Sequence, residues 1–218
     1  MSNGPCLTLL LLTLFGHAEA ARLEVEVRDR DGRPLSEVVA WIEPGPDTPS
    51  PSAEPTAPVA LVMDQRKRQF TPYILPVHRG STVIFPNSDP INHHVYSFSP
   101  AKRFELRLHH QGDSAQQLRF DAPGLVTLGC NIHDWMLGFI LVLDSPWFAQ
   151  TDQGGRARLE YLPAAGQTLH IWHPRSAEPG VAYPLAPRVE IRLTQALKRE
   201  PRSKAPNAAP RGKGGYLP

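Results

Sequence analysis

One short segment of this 218-residue chain carries three side chains that bind soft metal ions. In the run Gly129-Cys130-Asn131-Ile132-His133-Asp134-Trp135-Met136, a thiol, an imidazole and a thioether follow one another at intervals of three residues. A thiolate and two imidazoles hold a copper ion in a trigonal plane, while a weakly bound thioether tunes its potential from the axial direction. The segment therefore predicts three of the four ligands of a mononuclear copper site.

The second imidazole must come from elsewhere in the chain. The run Asn92-His93-His94-Val95-Tyr96 offers two adjacent histidines. Strand alternation would place His94 on one inward face with Tyr96 and Phe98, which favours His94 as the ligand. A bulge can reset this phase and present His93 instead, so the residues alone leave both histidines open.

The elements that must position these donors read as strands. Cys130 follows the apolar run Leu125 to Gly129, and another strand resumes at Phe139 to Leu143, so the three donors fall in one tight loop. Further alternating or apolar runs predict strands at 23–27, 38–42, 60–63, 73–77, 82–85, 94–98, 104–108, 116–120, 156–161, 168–172 and 189–193. We find no convincing helix, and the pattern predicts an all-β antiparallel sandwich or barrel.

The predicted domain organisation follows composition. Residues 21–145 form the metal-binding domain, interrupted by a Pro/Ser-rich loop at 44–58, and residues 146–195 form a small β-rich module. This module either packs on the main sandwich or pairs with strands 23–42, because it is too small to hold a generous core alone. Residues 196–218 form a disordered tail; from Lys198 onward it holds six basic residues and one acidic residue, although the whole chain carries only +2.

The first twenty residues are expected to be a secretory signal. They contain an apolar stretch from Leu7 to Phe15 and the cleavage pattern Ala18-Glu19-Ala20. Cleavage would remove Cys6 and leave Cys130 as the single thiol of the mature chain. A stray thiol is unusual in an exported protein, and metal ligation would explain it. Nothing in the chain is typical of a nucleic-acid-binding module.

The Cys-x-x-His-x-x-Met loop, together with the strand Gly80 to Asn87 and the pattern His93-His94-Val95, resembles the cupredoxins, in particular amicyanin, pseudoazurin and plastocyanin. The likeness spans roughly residues 73–143, and with Trp172-His173-Pro174 the whole pattern also resembles so-called methylamine-utilisation proteins. It implies a cupredoxin-like Greek-key sandwich. Aligning the family's His-Asn-Val pattern on His93-His94-Val95 makes His93 the upstream ligand, beside Cys130, His133 and Met136.

The same resemblance implies a function. We expect an exported, monomeric type 1 (blue) copper protein that holds one ion per chain and carries single electrons in the periplasm. A c-type cytochrome or a dehydrogenase would be its redox partner. Catalysis is not expected, because the histidine pairs that build further copper centres in oxidases are missing.

Other interpretations of the same residues remain at this stage. They are a copper-delivery protein with the same ligands, a zinc site, and a metal-free interaction module in which Cys130 is a buried core residue. Met136 argues against zinc, whose sites seldom use a thioether. Trp135 is expected to be either part of an apolar rim for partner docking, or a core residue or lid over the site. His109 and His110 are expected to be a solvated loop pair, and His170 and His173 to be structural or exposed. The run Asp64 to Arg68 is predicted to be a charged turn.

Overall fold

The computed structural model describes residues 19–46, 48, 61–107, 110–177 and 181–198. Over these residues the chain forms seventeen β strands and no helix, which confirms the predicted all-β class. The predicted signal up to residue 18, most of the Pro/Ser-rich loop, His109 and the tail beyond residue 198 lie outside the described residues. Among the described residues, no helix is present that could span a membrane.

The strands are numbered in chain order. The first nine are β1 (Ala21–Arg28), β2 (Val39–Glu43), β3 (Leu61–Val62), β4 (Asp64–Arg66), β5 (Gln69–Thr71), β6 (Ile74–His78), β7 (Ser81–Phe85), β8 (Val95–Ser99) and β9 (Lys102–Glu105). The others are β10 (Gln116–Phe120), β11 (Gly124–Cys130), β12 (Leu137–Leu143), β13 (Phe148–Gln150), β14 (Arg156–Tyr161), β15 (Thr168–Trp172), β16 (Ala182–Tyr183) and β17 (Arg188–Arg192). Sequence patterns missed β4, β5, β13 and β16, because strands of two or three residues show no periodicity.

Two sheets enclose the core that supports the Cys/His/Met loop. One has the order β6-β12-β11-β8-β9 and the other the order β10-β7-β3. Their facing side chains form one hydrophobic cluster, which includes the fully buried Phe85, Phe120 and Leu128. Cys130 and Met136 belong to the same cluster. The loop therefore closes one end of a packed sandwich instead of projecting from it.

The C-terminal strands pair with the first two strands of the chain. β1 lies between β14 and β17, and β2 lies between β13 and β15. These sheets face each other across a second cluster that contains Leu23, Ile42, Leu159 and Leu169. Residues 21–43, which the sequence analysis grouped with the 21–145 domain, are thus hydrogen-bonded to strands beyond residue 147. The division of the chain into domains stays a prediction.

A third hydrophobic cluster joins the two sandwiches. It contains Val39 from β2, Ile74 from β6 and Phe139 from β12, and Trp172 packs edge-on against Phe139 at 5.5 Å between ring centroids. β12 is therefore covered on both faces, and six of its seven residues are buried. This explains its unbroken apolar sequence, since a strand with one solvated face would alternate.

A short hairpin of β4 and β5 lies against the start of β12. Its turn consists of Lys67 and Arg68 alone, so the predicted charged turn is shorter than expected, and Asp64–Arg66 form a strand instead. Phe70 on β5 covers Gly138 of β12, where an added Cβ would lie only 2.8 Å from the Phe70 Cβ. This close approach requires glycine and holds the hairpin at the same end of the sandwich as the Cys/His/Met loop.

Candidate metal centre

The loop that joins β11 to β12 carries three of the predicted ligands. Cys130 is the last residue of β11, and Met136 directly precedes β12. Gly129 pairs with Leu137 across the hairpin, so both ends of the loop are fixed by the sheet. Within it, the Met136 N–H donates to the His133 carbonyl at 2.8 Å. The loop is therefore a tight turn that returns Met136 to the core beneath Cys130.

His93 reaches the same point from the segment that leads into β8. Val95 of β8 pairs with Cys130, and the Asn131 N–H donates to the His94 carbonyl at 3.0 Å, which continues this pairing into the loop. The Cys130 Sγ lies 3.7 Å from His93 Nδ1 and 3.6 Å from His133 Nδ1. The three donor atoms all lie within 4.8 Å of one another, a group that could hold a metal ion.

His94 points away from this group. Its Nε2 lies 2.7 Å from the Glu105 carboxylate, and its Nδ1 lies 3.4 Å from the Asn131 side-chain nitrogen. The inward apolar row of His94, Tyr96 and Phe98 inferred from strand alternation is wrong, because Phe98 is 75% exposed whereas His93 is fully buried. The inward row is His93, Val95 and Ser97, so no bulge is needed to turn His93 towards Cys130.

The outward aromatic residues of β8 have a packing role of their own. The Tyr96 ring lies over Gly129, where an added Cβ would come within 2.6 Å of it, and contacts the Phe98 ring in a tilted arrangement at 5.0 Å between centroids. Aromatic side chains on this solvated face misled the alternation argument, because they cover the backbone beside Cys130 rather than fill the core. Gly129 is therefore needed for this close approach.

Asp89 supports His93 and was missed by the sequence analysis. Its Oδ2 lies 2.8 Å from His93 Nε2. The same carboxylate accepts hydrogen bonds from the backbone N–H groups of Lys67 and Arg68, the latter at 2.7 Å. A carboxylate on the second nitrogen of a ligating histidine fixes its tautomer and ring orientation. The spacing of four residues before His93 was the only sequence signal that could have revealed it.

Hydrogen bonds shift the protonation of the cluster. Burial raises the pKa of the Cys130 thiol, but bonds from His93 and from the backbone N–H groups of His94 and Ile132 outweigh burial and lower that pKa. Burial acts to lower the pKa of His93, yet its bonds to Cys130 and Asp89 raise it overall. The lowered pKa favours the Cys130 thiolate relative to an ordinary thiol, and the thiolate is the form of cysteine that binds metals.

His133 lies in a different environment on the rim of the group. It is only half-buried, and its ring lies 5.0 Å from His93 between centroids. Burial, followed by the positive charges of His93 and Arg68, lowers its pKa. A neutral imidazole is the form that coordinates a metal ion. The lowered pKa thus favours the neutral form of His133 that can coordinate a metal ion, and part of the side chain remains accessible to solvent.

Met136 and Trp135 complete the surroundings. Met136 is 2% exposed and packs in the same core cluster as Cys130. Trp135 is half-buried and makes an edge contact with His133 at 5.3 Å between centroids. This contact places Trp135 beside the His133 ring, and which of its two expected roles it has stays a prediction.

The other histidines that the structure describes do not join a metal cluster. His170 stacks on Trp41 at 5.4 Å between centroids, His173 is buried, and His110 pairs with Asp113 on the surface. Within the described ranges, His93, Cys130 and His133 form the one group of histidine, cysteine and acidic side chains close enough to share an ion.

Neither a protein-family model nor a curated protein matches the chain. Solved structures that resemble part of it include an amicyanin variant, with 26% identity over 48% of this chain and 98% of that protein, at a TM-score of 0.36. A purple cupredoxin from Nitrosopumilus maritimus is 22% identical over 38% of this chain and 96% of its own, at a TM-score of 0.33.

A copper-containing nitrite reductase from Thermus scotoductus SA-01 is also similar, with 23% identity and a TM-score of 0.38. That likeness covers 40% of this chain but only 23% of the reductase. The partial structural neighbours are thus cupredoxins and a copper enzyme, in line with the resemblance carried by the loop motif. Because all three TM-scores are low, the function is inferred from the side chains of the site.

Proposed function

We propose that this chain is an exported type 1 copper protein that carries one electron at a time. The observation that carries this proposal is the convergence of one cysteine sulfur and two imidazole nitrogens within 4.8 Å, with Met136 in the same core cluster as Cys130. A cysteine, two histidines and a weak thioether are the donor set of blue-copper electron-transfer sites. Zinc sites favour four cysteine, histidine or carboxylate ligands instead.

Each residue has a defined role in this proposal. Cys130 would supply the strong thiolate bond, His93 and His133 the two imidazoles, and Met136 the weak axial contact. The bound ion would supply the chemistry, by cycling between Cu(II) and Cu(I). The chain itself holds the donors rigid: the sheet fixes both ends of the loop, and Asp89 fixes the ring of His93.

The half-buried His133 is the proposed route by which the electron leaves. His93 and Cys130 are 0% and 3% exposed, so neither can touch a partner directly. This burial also favours an electron carrier over a copper-delivery protein, because an ion handed to another protein must exchange through accessible ligands.

We further propose one copper per chain, a periplasmic location, no catalytic activity, and a redox partner such as a c-type cytochrome or a dehydrogenase.

Copper titration of the mature chain tests the proposal. We expect one equivalent of Cu(II) to bind and to give an intense visible absorption, which Cys130→Ser abolishes. His93→Gln is expected to weaken binding and bleach the colour. His94→Gln is the matched control, since His94 bonds to Glu105 and Asn131 instead, and it should keep both the stoichiometry and the spectrum.

The outcomes separate the competing functions. A wild-type chain that binds no copper contradicts the proposal and leaves a metal-free module. Binding with reversible reduction by a c-type cytochrome supports the electron carrier. Binding followed by transfer of the ion to a metal-free acceptor, without electron exchange, establishes the delivery protein.

A further inference from the structure

Three consecutive cationic residues stand at the tip of the β4–β5 hairpin. Arg66 ends β4, and Lys67 and Arg68 form the turn; we call these three residues the cationic turn. All three are exposed. Across the part of the chain that the structure describes, none of them forms an ion pair with a carboxylate side chain. Their charge is therefore displayed to solvent, in contrast to the paired arginines on the outer face of β1 and β14.

The backbone of the cationic turn is held in an unfavourable conformation. Lys67 and Arg68 have φ values of 55° and 56°, a left-handed region that asparagine and glycine normally occupy in such hairpin turns. Asp89 stabilises this shape by accepting the N–H groups of both residues. Retaining two long cationic side chains at strained positions points to a use for their charge.

The same contacts fix the cationic turn at the rim of the metal centre. Asp89 also bonds to His93, so the Arg68 N–H and the His93 ring share one carboxylate. Phe70, two residues beyond the turn, packs on Gly138 at the start of β12.

Other features of this rim fit a docking surface. Ile132, in the loop beside His133, is 49% exposed and offers an apolar contact. Asp134 is an exposed acidic residue close to His133, whereas the Asp89 charge is buried and already hydrogen-bonded. Glu105, which bonds to His94, is a second exposed acid near the loop, and the three cations outnumber these two acids. An apolar centre with a charged rim is the usual anatomy of a transient protein interface.

We propose that the cationic turn is the docking element for an acidic redox protein, which it steers onto the exposed edge of His133. This inference rests on the proposed electron-carrier function. Complementary charge raises the rate and specificity of encounter more than the final affinity, which suits a partner that must leave after each electron. The partner is thus expected to present carboxylates around its own redox centre.

Two matched variants isolate the role of this charge. Lys67→Gln/Arg68→Gln removes two positive charges from the cationic turn and leaves the backbone donors to Asp89 in place. Lys102→Gln/Arg103→Gln removes the same two charges from β9. Lys102 and Arg103 lie opposite Ser99 and Phe98, at the end of β8 remote from Cys130. Both variants have the same net charge, so any difference in binding between them results from where the two charges lie on the surface.

The probe is an acidic c-type cytochrome titrated into the isotope-labelled full chain, first without metal and then loaded with copper. We expect amide shifts centred on residues 66–68 and 131–135. The dissociation constant should rise about three- to tenfold in Lys67→Gln/Arg68→Gln and stay unchanged in the β9 variant, and the difference should vanish at about 0.5 M salt. The second-order rate of cytochrome reduction by copper-loaded chain should fall in parallel.

Equal effects of the two variants, or shifts centred on another face, would overturn the docking proposal. Tighter binding to a basic cytochrome than to the acidic one would overturn it as well. The metal-free titration measures docking whether or not copper binds, whereas the copper spectrum tests the site itself. Failure of the docking proposal is therefore distinguishable from failure of the electron-carrier proposal.

Discussion

At the scale of single residues, the candidate centre depends on a side chain that would touch no metal. Asp89 bonds at once to His93 and to the backbone of the hairpin turn, and it is only 4% exposed. Because this carboxylate is held by backbone groups of the hairpin, the fold itself fixes the ring orientation of His93. It also ties the geometry of the site to the hairpin that carries the cationic turn.

Replacing Asp89 by asparagine should therefore damage the site without abolishing it. We expect Asp89→Asn to weaken copper binding about 10- to 100-fold, because the uncharged amide no longer fixes the His93 tautomer. Competition with a chelator of known affinity measures this change. Asp134→Asn, which removes an exposed carboxylate of the loop, is the control and should bind copper as the wild type does. Equal affinity of both variants would show that Asp89 only supports the turn.

Met136 offers a second test at this scale. Met136→Leu conserves volume in the core cluster and should cost less than about 1.5 kcal/mol of unfolding free energy, against about 2–5 kcal/mol for Met136→Ala. If the thioether is the axial contact, its loss also leaves the ion in more apolar surroundings, which disfavour the doubly charged state. The reduction potential of Met136→Leu should then be higher than that of the wild type. An unchanged potential by voltammetry would remove Met136 from the ligand set.

At the scale of elements, the three-stranded sheet of β14, β1 and β17 carries an ionic cluster around one buried carboxylate. Glu26 of β1 is 6% exposed and is contacted by the guanidinium groups of Arg28, Arg156 and Arg188. The hydrogen bond from Arg28 lowers the pKa of Glu26 below its ordinary value of 4.5, against the opposing effect of burial. Glu26 therefore links strands that are far apart in sequence.

The pH dependence of stability should reveal this link. Since the folded-state pKa of Glu26 is lowered, its carboxylate stabilises the fold above the unfolded value and loses this effect as the pH falls through the folded pKa. We expect Glu26→Gln to melt at a lower temperature than the wild type at pH 7, with the difference shrinking below about pH 4. The exposed pair of Glu160 with Arg22 is the control, and Glu160→Gln should change the melting temperature little. A pH-independent difference for Glu26→Gln would indicate a packing effect.

Local patterns determined how much of these elements the sequence could predict. Strands with five or more alternating or apolar residues, such as β1 and β12, were recognised because their periodicity is visible in the chain. The Cys130-to-Met136 loop was recognised because its donors are three residues apart. The Asp89 contact and the β4–β5 hairpin were missed, because both depend on backbone donors at Lys67 and Arg68 that pair across more than twenty residues.

The choice between His93 and His94 shows the same limit. Alternation along β8 was valid, but its phase was read from the aromatic residues, and Phe98 faces solvent while the small Ser97 faces the core. Which face of a strand is inward depends on what the neighbouring strand offers. Here the backbone of Gly129 provides an outward platform for Tyr96, and no single segment of sequence reveals that pairing.

At the scale of the whole molecule, the third hydrophobic cluster joins the two sandwiches through Phe139, Val39 and Trp172. Because β12 begins directly after Met136, this cluster packs on the strand that anchors the candidate centre. Binding of a ligand to the native state alone stabilises whatever unfolds together with the site. The metal centre and the strands of the second sandwich should therefore unfold together and should both be stabilised when copper binds.

Calorimetry can test this coupling. We expect the chain to unfold in one transition whose midpoint rises on addition of copper. Phe139→Ala, which empties the shared cluster at a cost of about 3–5 kcal/mol, should split this into two transitions, of which copper shifts only one. Leu159→Ala, in the second hydrophobic cluster, is the control and should lower the midpoint while the two sandwiches still unfold in one transition. Two transitions already present in the wild type would contradict the coupling.

The pairing of β1 with β14 and β17 has a consequence for the order of folding. β1 joins partners 130 or more residues later in the chain, whereas β11 and β12 are connected by a short loop. Closing so long a loop is entropically costly before its contacts form, and distant pairings form slowly. During synthesis the N-terminal strand must wait for the last strands to emerge, while the segment around the Cys/His/Met loop can assemble first. The unpaired edges of β1 are thus the stretch most exposed to proteases and aggregation until β17 arrives.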